Sequence, residues 1–154
     1  MPNIAIFPGS FDPITKGHES IVHRALPLFD KIIVAVGYNA DKKGLFSVEE
    51  RVNFIKKTFS DMPDIVVDTY DGLTVDFCKK HNAKFLLRGL RSVADFENER
   101  NLASINKELS SDLETVFMCT DIAYSHISST VVRDVLRHNG DVTKFLPKAL
   151  KGCI

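Results

Sequence analysis

The chain has 154 residues, 44% hydrophobic and 26% charged, and its 20 basic side chains balance 20 acidic ones for a formal net charge of zero. These values suit one globular domain spanning residues 1–154, able to bury roughly 70% of its unfolded surface, and they exclude disordered and collagen-like chains. Zero net charge argues against gripping nucleic acid through a global field, no apolar run reaches bilayer length, and Met1-Pro2-Asn3 lacks the basic start of a secretion signal, so neither nucleic acid nor membrane is an expected partner. Cys78, Cys119 and Cys153 are odd in number, far apart and form no CxxC pair, which points to a reduced, cytoplasmic protein without a disulfide framework or zinc site.

Ile4-Ala5-Ile6-Phe7 is a short apolar run ended by Pro8-Gly9 and reads as a buried strand. Ile21, Val22, Ala25, Leu26 and Phe29 then recur at helical spacing, and Lys31 to Val36 forms a second strand closed by Gly37. Ser47 and Glu50 have the spacing of a capping box, opening a helix faced by Val48, Val52, Ile55 and Phe59. Ile65-Val66-Val67 is a third strand, a short helix follows around Val75 to Cys78, and Lys84 to Leu87 is a fourth strand. Ser92 can cap a long helix carrying Phe96, Leu102, Ala103, Ile105 and Leu109. Thr115 to Met118 is a fifth strand, and Ser128-Ser129-Thr130 opens a last helix that Asn139-Gly140 stops. This alternation predicts parallel strands joined by crossover helices. Continuous apolar strands need both faces covered, and right-handed crossovers then give a doubly wound, Rossmann-like α/β sheet of five strands with helices on both faces. Ligands bind such sheets outside the carboxyl ends of the strands, so the loops after Phe7, Val36, Leu87 and Met118 are the places to search.

The first of these loops holds Gly9 and Gly17, where a backbone could approach a phosphate, the hydroxyl and amide of Ser10, and His18 in the first turn of a helix whose free N–H groups favour an anion. A lone histidine at a helix start is most often a surface residue; what distinguishes His18 is the Gly-Ser-Phe-Asp-Pro turn before it. There is no Walker A sequence and no GxGxxG, so phosphate binding of those two kinds is excluded. The second loop carries Lys42 and Lys43, and sequence alone does not rank one above the other. In the third, Arg88 and Arg91 bracket Gly89 where the strand is expected to give way to a helix, and a guanidinium fork there suits phosphate oxygens. In the fourth, the hydroxyls of Ser128, Ser129 and Thr130 are helix caps that can also form an anion site, with Arg133 one turn further on. Asp12 reads as a turn residue rather than a metal ligand, and no cluster of carboxylates stands out that would hold a cation alone.

The run GSFDPxTxGH, from Gly9 to His18, resembles the (H/T)xGH signature of the nucleotidyltransferase superfamily. Ser47-Val-Glu-Glu-Arg51, Leu87-Arg-Gly-Leu-Arg91, Ala94-Asp-Phe-Glu97 and Ile127-Ser-Ser-Thr130, with their spacing, resemble the bacterial phosphopantetheine adenylyltransferases, and the likeness runs from Ile4 to about Leu146. The resemblance implies an enzyme that transfers the adenylyl group of ATP to 4′-phosphopantetheine, giving dephospho-coenzyme A and pyrophosphate. It implies catalytic roles for His18, Lys42 and Arg91, and contacts to 4′-phosphopantetheine from Ser10, Lys42, Thr74 and Arg88. It implies ATP contacts from Ser10, Phe11, His18, Gly89, Leu90, Arg91, Glu99, Tyr124, Ser125, His126, Ile127, Ser128, Ser129 and Thr130. It further implies Mg²⁺ bound mainly through the ATP phosphates, a homohexamer, and coenzyme A as a feedback ligand. The nucleophile of this reaction is already a phosphate oxygen, so catalysis reduces to alignment and charge stabilisation at the α-phosphorus. The chain departs from the family pattern in carrying Thr15 in place of His, Ser10 where many relatives have Thr, Thr74 in place of a larger apolar residue, and Tyr124 in place of Trp. A nicotinamide mononucleotide adenylyltransferase or a cytidylyltransferase would share the fold, and the Arg88 to Arg91 segment argues against both. A sensing module that had lost the chemistry would show a decayed site, whereas His18, Lys42, Arg91 and the Ser-Ser-Thr element all stand.

Overall fold

A computed structural model describes residues 1–154. In chain order the elements are β1 (Ile4–Gly9), α1 (Lys16–Ala25), β2 (Lys31–Gly37), α2 (Val48–Thr58), β3 (Ile65–Tyr70), α3 (Thr74–Lys80), β4 (Phe85–Leu90), α4 (Val93–Leu109), β5 (Glu114–Cys119) and α5 (Ser129–Arg137). The five strands are all parallel and lie in the order β3-β2-β1-β4-β5, so the winding direction reverses between β1 and β4. This is the doubly wound α/β sheet that the alternating pattern predicts.

Because strand side chains alternate between faces, each apolar run supplies two cores. On one face Ala5, Phe7, Ile32, Val34, Val36 and Leu87 pack against Ile21, Val22 and Ala25 of α1 and Ile55 of α2. On the other, Ile6, Ile33, Ala35 and Leu86 pack against Val75, Phe77 and Cys78 of α3. The expected caps form: Ser47 and Glu50 make a reciprocal box, Ser92 accepts from the Asp95 amide, and Ser128 from the Val131 amide. Helix α1 ends at Ala25 rather than reaching Phe29, because Pro27 turns Leu26–Leu28 into a short 3₁₀ segment. The apolar positions of α4 find no core: none of its residues is buried, and Leu102, Ile105 and Leu109 are 52%, 54% and 49% exposed. No helix is long and apolar enough to cross a membrane.

All five strands run further than the pattern suggests, β3 by three residues to Tyr70, and two of the extensions bear on the ligand end. Strand β1 continues through Pro8 and Gly9, registered against Ala35 and Val36 of β2. Strand β4 continues through Arg88, Gly89 and Leu90, registered against Phe117, Met118 and Cys119 of β5, so the turn to α4 is Arg91-Ser92 and not Gly89. Pairing with β5 extends the strand, and the glycine serves packing instead of a turn: a Cβ on Gly89 would lie 3.3 Å from Ile21. By contrast, β1 and β4 pair only at Ala5 with Phe85 and Ile6 with Leu86, and beyond that point they part. A crevice opens there at the switch point, where doubly wound sheets bind ligands.

Leu87 is fully buried at the root of this crevice. Leu87→Ala should cost about 2–5 kcal/mol of stability through lost burial and the residual cavity. Urea denaturation with an unchanged m-value would check it; a loss below about 1 kcal/mol would mean that the site collapses around the deletion.

Candidate active site

The wall of the crevice begins with an unusual backbone. Phe11 has φ of +47°, in the left-handed region, and its ring is buried edge-on to Phe7 at 5.4 Å and to His18 at 4.9 Å. Gly9 makes room for that ring, since a Cβ there would lie 3.1 Å from it. Thr15 caps α1, and the partner in its capping box is a histidine: the Thr15 amide donates to His18 Nδ1 at 3.0 Å, and the Thr15 hydroxyl lies 3.2 Å from the same nitrogen. A nitrogen that accepts from an amide carries no proton, so the neutral ring keeps its hydrogen on Nε2. Burial, reinforced by the charges of Arg88 and Arg91, lowers the His18 pKa from 6.5 to about 4. His18 is therefore a neutral hydrogen-bond donor at physiological pH, with a single N–H on Nε2 to offer.

Three cavities meet around Ser10, which lines all of them. The first, about 310 Å³, lies over the crevice and is lined by Ser10, Phe11, His18, Gly89, Arg91, Glu99 and Ile127 to Thr130. Leu90, Tyr124, Ser125 and His126 do not line it. Leu90 gives its carbonyl to the Thr120 amide, Tyr124 packs beside Gly17, the Ser125 hydroxyl donates back to the Ile122 carbonyl at 3.1 Å, and His126 is exposed. The second cavity, about 560 Å³, is lined by both Lys42 and Lys43, which are exposed alike, so the structure leaves them equal. The third, about 350 Å³, is lined by Thr74, Arg88, Glu99 and Asn106, with the Thr74 hydroxyl 3.0 Å from that of Tyr70.

Arg88 stands in the wall between the first and third cavities. Its Nε and Nη2 donate to the two carboxylate oxygens of Glu99 at 2.8 and 2.6 Å, and its Nη1 donates to the Pro8 carbonyl at 2.6 Å. Two of its five N–H bonds stay free for a ligand. Glu99 is not a solvent-facing helix residue: it lines the first and third cavities, and both its oxygens serve Arg88, at 14% side-chain exposure. Arg91, exposed and lining the first cavity alone of the three, is steadied by Asp95, which accepts its amide at 3.0 Å and lies 3.6 Å from its Nε. At the start of α5, Ser129 donates to the Pro13 carbonyl and Arg133 to the Asp12 carbonyl, so Arg133 braces the first loop.

Sequence reasoning missed Asp95, Thr120 and Asn106 as cavity residues, Thr15 as the group that sets the His18 tautomer, and a buried pair between Asp12 and Arg51. The Thr15 to His18 spacing was readable as a cap, but histidine is not a residue one seeks at its third helical position. No group of three or more His, Cys, Asp or Glu side chains stands where it could hold a metal ion. The donors present, namely guanidinium N–H bonds, an imidazole N–H and the N-termini of α1 and α5, suit a polyanion.

The cytidylyltransferase-like family matches residues 6–135. The phosphopantetheine adenylyltransferase of Flavobacterium johnsoniae is 56% identical over 147 residues, 96% of each chain. Those of Flavobacterium psychrophilum and Syntrophotalea carbinolica are 54% and 48% identical, over 96% and 98% of this chain and 97% and 91% of theirs. Among solved structures, a bifunctional NMN adenylyltransferase/ADP ribose pyrophosphatase from Francisella tularensis superposes with a TM-score of 0.73 at 17% identity. That match covers 95% of this chain but only 45% of the other, and it is a likeness of fold alone.

With its pKa at about 4, His18 should stay neutral as the pH falls through 6.5, where an unfolded histidine gains its proton. The stability contributed by its buried neutral ring is full above pH 6.5 and lost as the pH falls towards 4. Nitrogen-15 NMR of the ring should show the Nε2–H tautomer down to about pH 4; titration near 6.5 would contradict the geometry.

Proposed function

The chain belongs to the phosphopantetheine adenylyltransferase family, within the cytidylyltransferase-like nucleotidyltransferases, and we propose from that premise how its residues make dephospho-coenzyme A and pyrophosphate from ATP and 4′-phosphopantetheine. The observation that carries the reading is the neutral His18 donor in the first cavity, which Arg88 and Arg91 also line, with Arg88 reaching the third cavity as well. An oxygen of the 4′-phosphopantetheine phosphate forms a bond to the α-phosphorus of ATP. The bond from that phosphorus to the bridging oxygen of the β-phosphate breaks, and pyrophosphate leaves with the electron pair. No side chain has to take a proton from the nucleophile, so a histidine that keeps its own proton fits this chemistry.

His18 donates from Nε2 to an α-phosphate oxygen as charge builds there. Arg91 and the hydroxyls and amides of Ser128, Ser129 and Thr130 hold the β- and γ-phosphates at the start of α5. The two free N–H bonds of Arg88, with Ser10 and a lysine of the β2–α2 loop, Lys42 by family resemblance, hold the phosphate of 4′-phosphopantetheine. Thr74 and the third cavity take its arm. Phe11, Gly89 and Ile127, which line the first cavity, enclose the nucleoside, with Leu90, Tyr124, Ser125 and His126 joining them by family resemblance alone, and Glu99 acts on the ligands through Arg88. Mg²⁺ would be held by the triphosphate itself and would offset charge on the leaving pyrophosphate. The carboxylates of Asp12 and Glu99 already face Arg51 and Arg88, so the chain's own share is hydrogen-bond donation. The uncovered apolar positions of α4 support association of copies, and the count of six in the proposed homohexamer comes from family resemblance. Coenzyme A shares the arm and the adenosine of the product, which supports its action as a feedback ligand, and the three free cysteines support a reduced, cytoplasmic setting.

Mass spectrometry after incubation with Mg-ATP and 4′-phosphopantetheine should find dephospho-coenzyme A and pyrophosphate. Conversion of nicotinamide mononucleotide in its place would sink the assignment.

The two arginines should be separable. Losing a charge-assisted contact costs about 1.5–3 kcal/mol, or roughly tenfold to a hundredfold in affinity. Arg88→Ala should weaken 4′-phosphopantetheine by that factor and ATP much less; Arg91→Ala should do the reverse. Calorimetric titration with each ligand decides, and equal weakening of both ligands by both variants would mean that the arginines act as one patch.

A further inference from the structure

We infer that Asp12 and Arg51 are positioning residues for the reaction: as a buried pair they fix the loop between β2 and α2, and through it the lysine that meets the substrate phosphate. The inference rests on the proposed contact between a lysine of that loop and the phosphate of 4′-phosphopantetheine.

Residues 38–47 carry no strand or helix, and within the loop Lys42 is steadied only by its amide, which donates to the Asn39 carbonyl at 3.0 Å. An exposed lysine on a free loop has much rotamer entropy to lose on binding, and a placement error of about 1 Å can cost a hundredfold in rate. The chain meets this with a clasp between its first two ligand loops. Asp12 accepts the Leu45 amide at 2.8 Å through Oδ2 and the Phe46 amide at 2.9 Å through Oδ1. Arg51, in α2, lies 3.6 Å from Asp12 Oδ1 through its Nε. It donates to the Phe46 carbonyl at 3.0 Å and to the Ser10 carbonyl at 3.3 Å. One side of the clasp thus holds the lysine loop, and the other holds the backbone of the residue that lines all three cavities.

Asp12 and Arg51 are 5% and 6% exposed. Gly44 is the residue the clasp closes over: a Cβ there would fall 2.6 Å from Asp12 Oδ2 and collide with the Arg51 guanidinium. Arg133 fixes the anchor in turn by donating to the Asp12 carbonyl at 2.9 Å. Burying an ion pair is a poor route to stability, since apolar residues of similar volume do as well or better. What apolar residues could not supply is acceptors for two loop amides together with donors to two carbonyls on different loops. Mutual neutralisation also leaves Lys42 and Lys43 as the only uncompensated charges lining that cavity.

Steady-state kinetics on the intact enzyme would test this with Asp12→Asn, Gly44→Ala, Lys42→Ala, Lys43→Ala and the double variants. Asparagine keeps the shape of Asp12 but turns a donor towards one of the two amides; the added methyl opens the clasp from the loop side and leaves both charges in place. Each should lower kcat/KM for 4′-phosphopantetheine about tenfold or more and leave ATP affinity within about twofold. In the background that lacks the operative lysine, the same change should cost less than about twofold, because residues acting through one another are not additive. An undiminished loss in that background, an equal loss of ATP affinity, or unchanged kinetics in both clasp variants would overturn the inference. Should Asp12→Asn fail to fold, Gly44→Ala carries the same comparison. If neither lysine substitution alters turnover, the phosphate contact itself is wrong and the positioning role falls with it, an outcome distinct from failure of the clasp alone.

Discussion

Everything at the ligand end of this molecule follows from how briefly β1 and β4 pair. Two registered pairs join them, and then the strands separate while each stays bonded to its outer neighbour. Beyond that point the backbone of β1 still presents polar groups towards β4, and a buried carbonyl without a donor is costly. A side chain takes over: Arg88 reaches across and donates to the Pro8 carbonyl. The ligand pocket is thus a gap in the sheet bridged by a guanidinium, which is why the residue that seals the gap is also placed to meet an anion.

The electrostatics have the same economy. Four arginines gather around the crevice and its loops, and each bonds to groups of the chain itself: Arg88 to Glu99 and Pro8, Arg91 to Asp95, Arg51 to Asp12, Ser10 and Phe46, Arg133 to Asp12 and Thr130. Acids that might have served as metal ligands or bases are engaged in holding cations. Burial first, and then such neighbours, make a charge on a histidine costly, and His18 accordingly stays neutral. Charge on the ligand is met by preorganised donors whose positions were set during folding, the arrangement that stabilises developing charge with least reorganisation.

Packing divides in keeping with this. The two cores beside β1, β2 and β4 bury most of their strand side chains completely and anchor the roots of the loops. Helix α4, which supplies Asp95, Glu99 and Asn106 to the cavities, buries none of its residues. The helix that contributes most to the ligand side is therefore the one least anchored within a single chain, so a second copy against α4 would bear on the site as well as on the assembly.

Much of the fold was legible in the sequence because its signals are local. Apolar runs such as Lys31 to Val36, the caps at Ser47, Ser92 and Ser128, and the strict alternation of periods determine a doubly wound parallel sheet, and that fold puts the ligand at the strand ends. Ser10, His18, Arg88, Arg91 and the Ser-Ser-Thr element were legible as candidates from their place after strands. What each of these does locally was decided by contacts that no spacing encodes. The strands' true ends depended on pairing, so Arg88 and Gly89 became strand residues once β5 lay beside them. The His18 tautomer depended on the cap at Thr15, the commitment of Glu99 depended on Arg88 eleven residues away, and the clasp of Asp12 with Arg51 joins positions thirty-nine apart. Periodicity reports which face of an element is apolar. Which polar groups then meet depends on how the elements are stacked, and only the tertiary structure decides that.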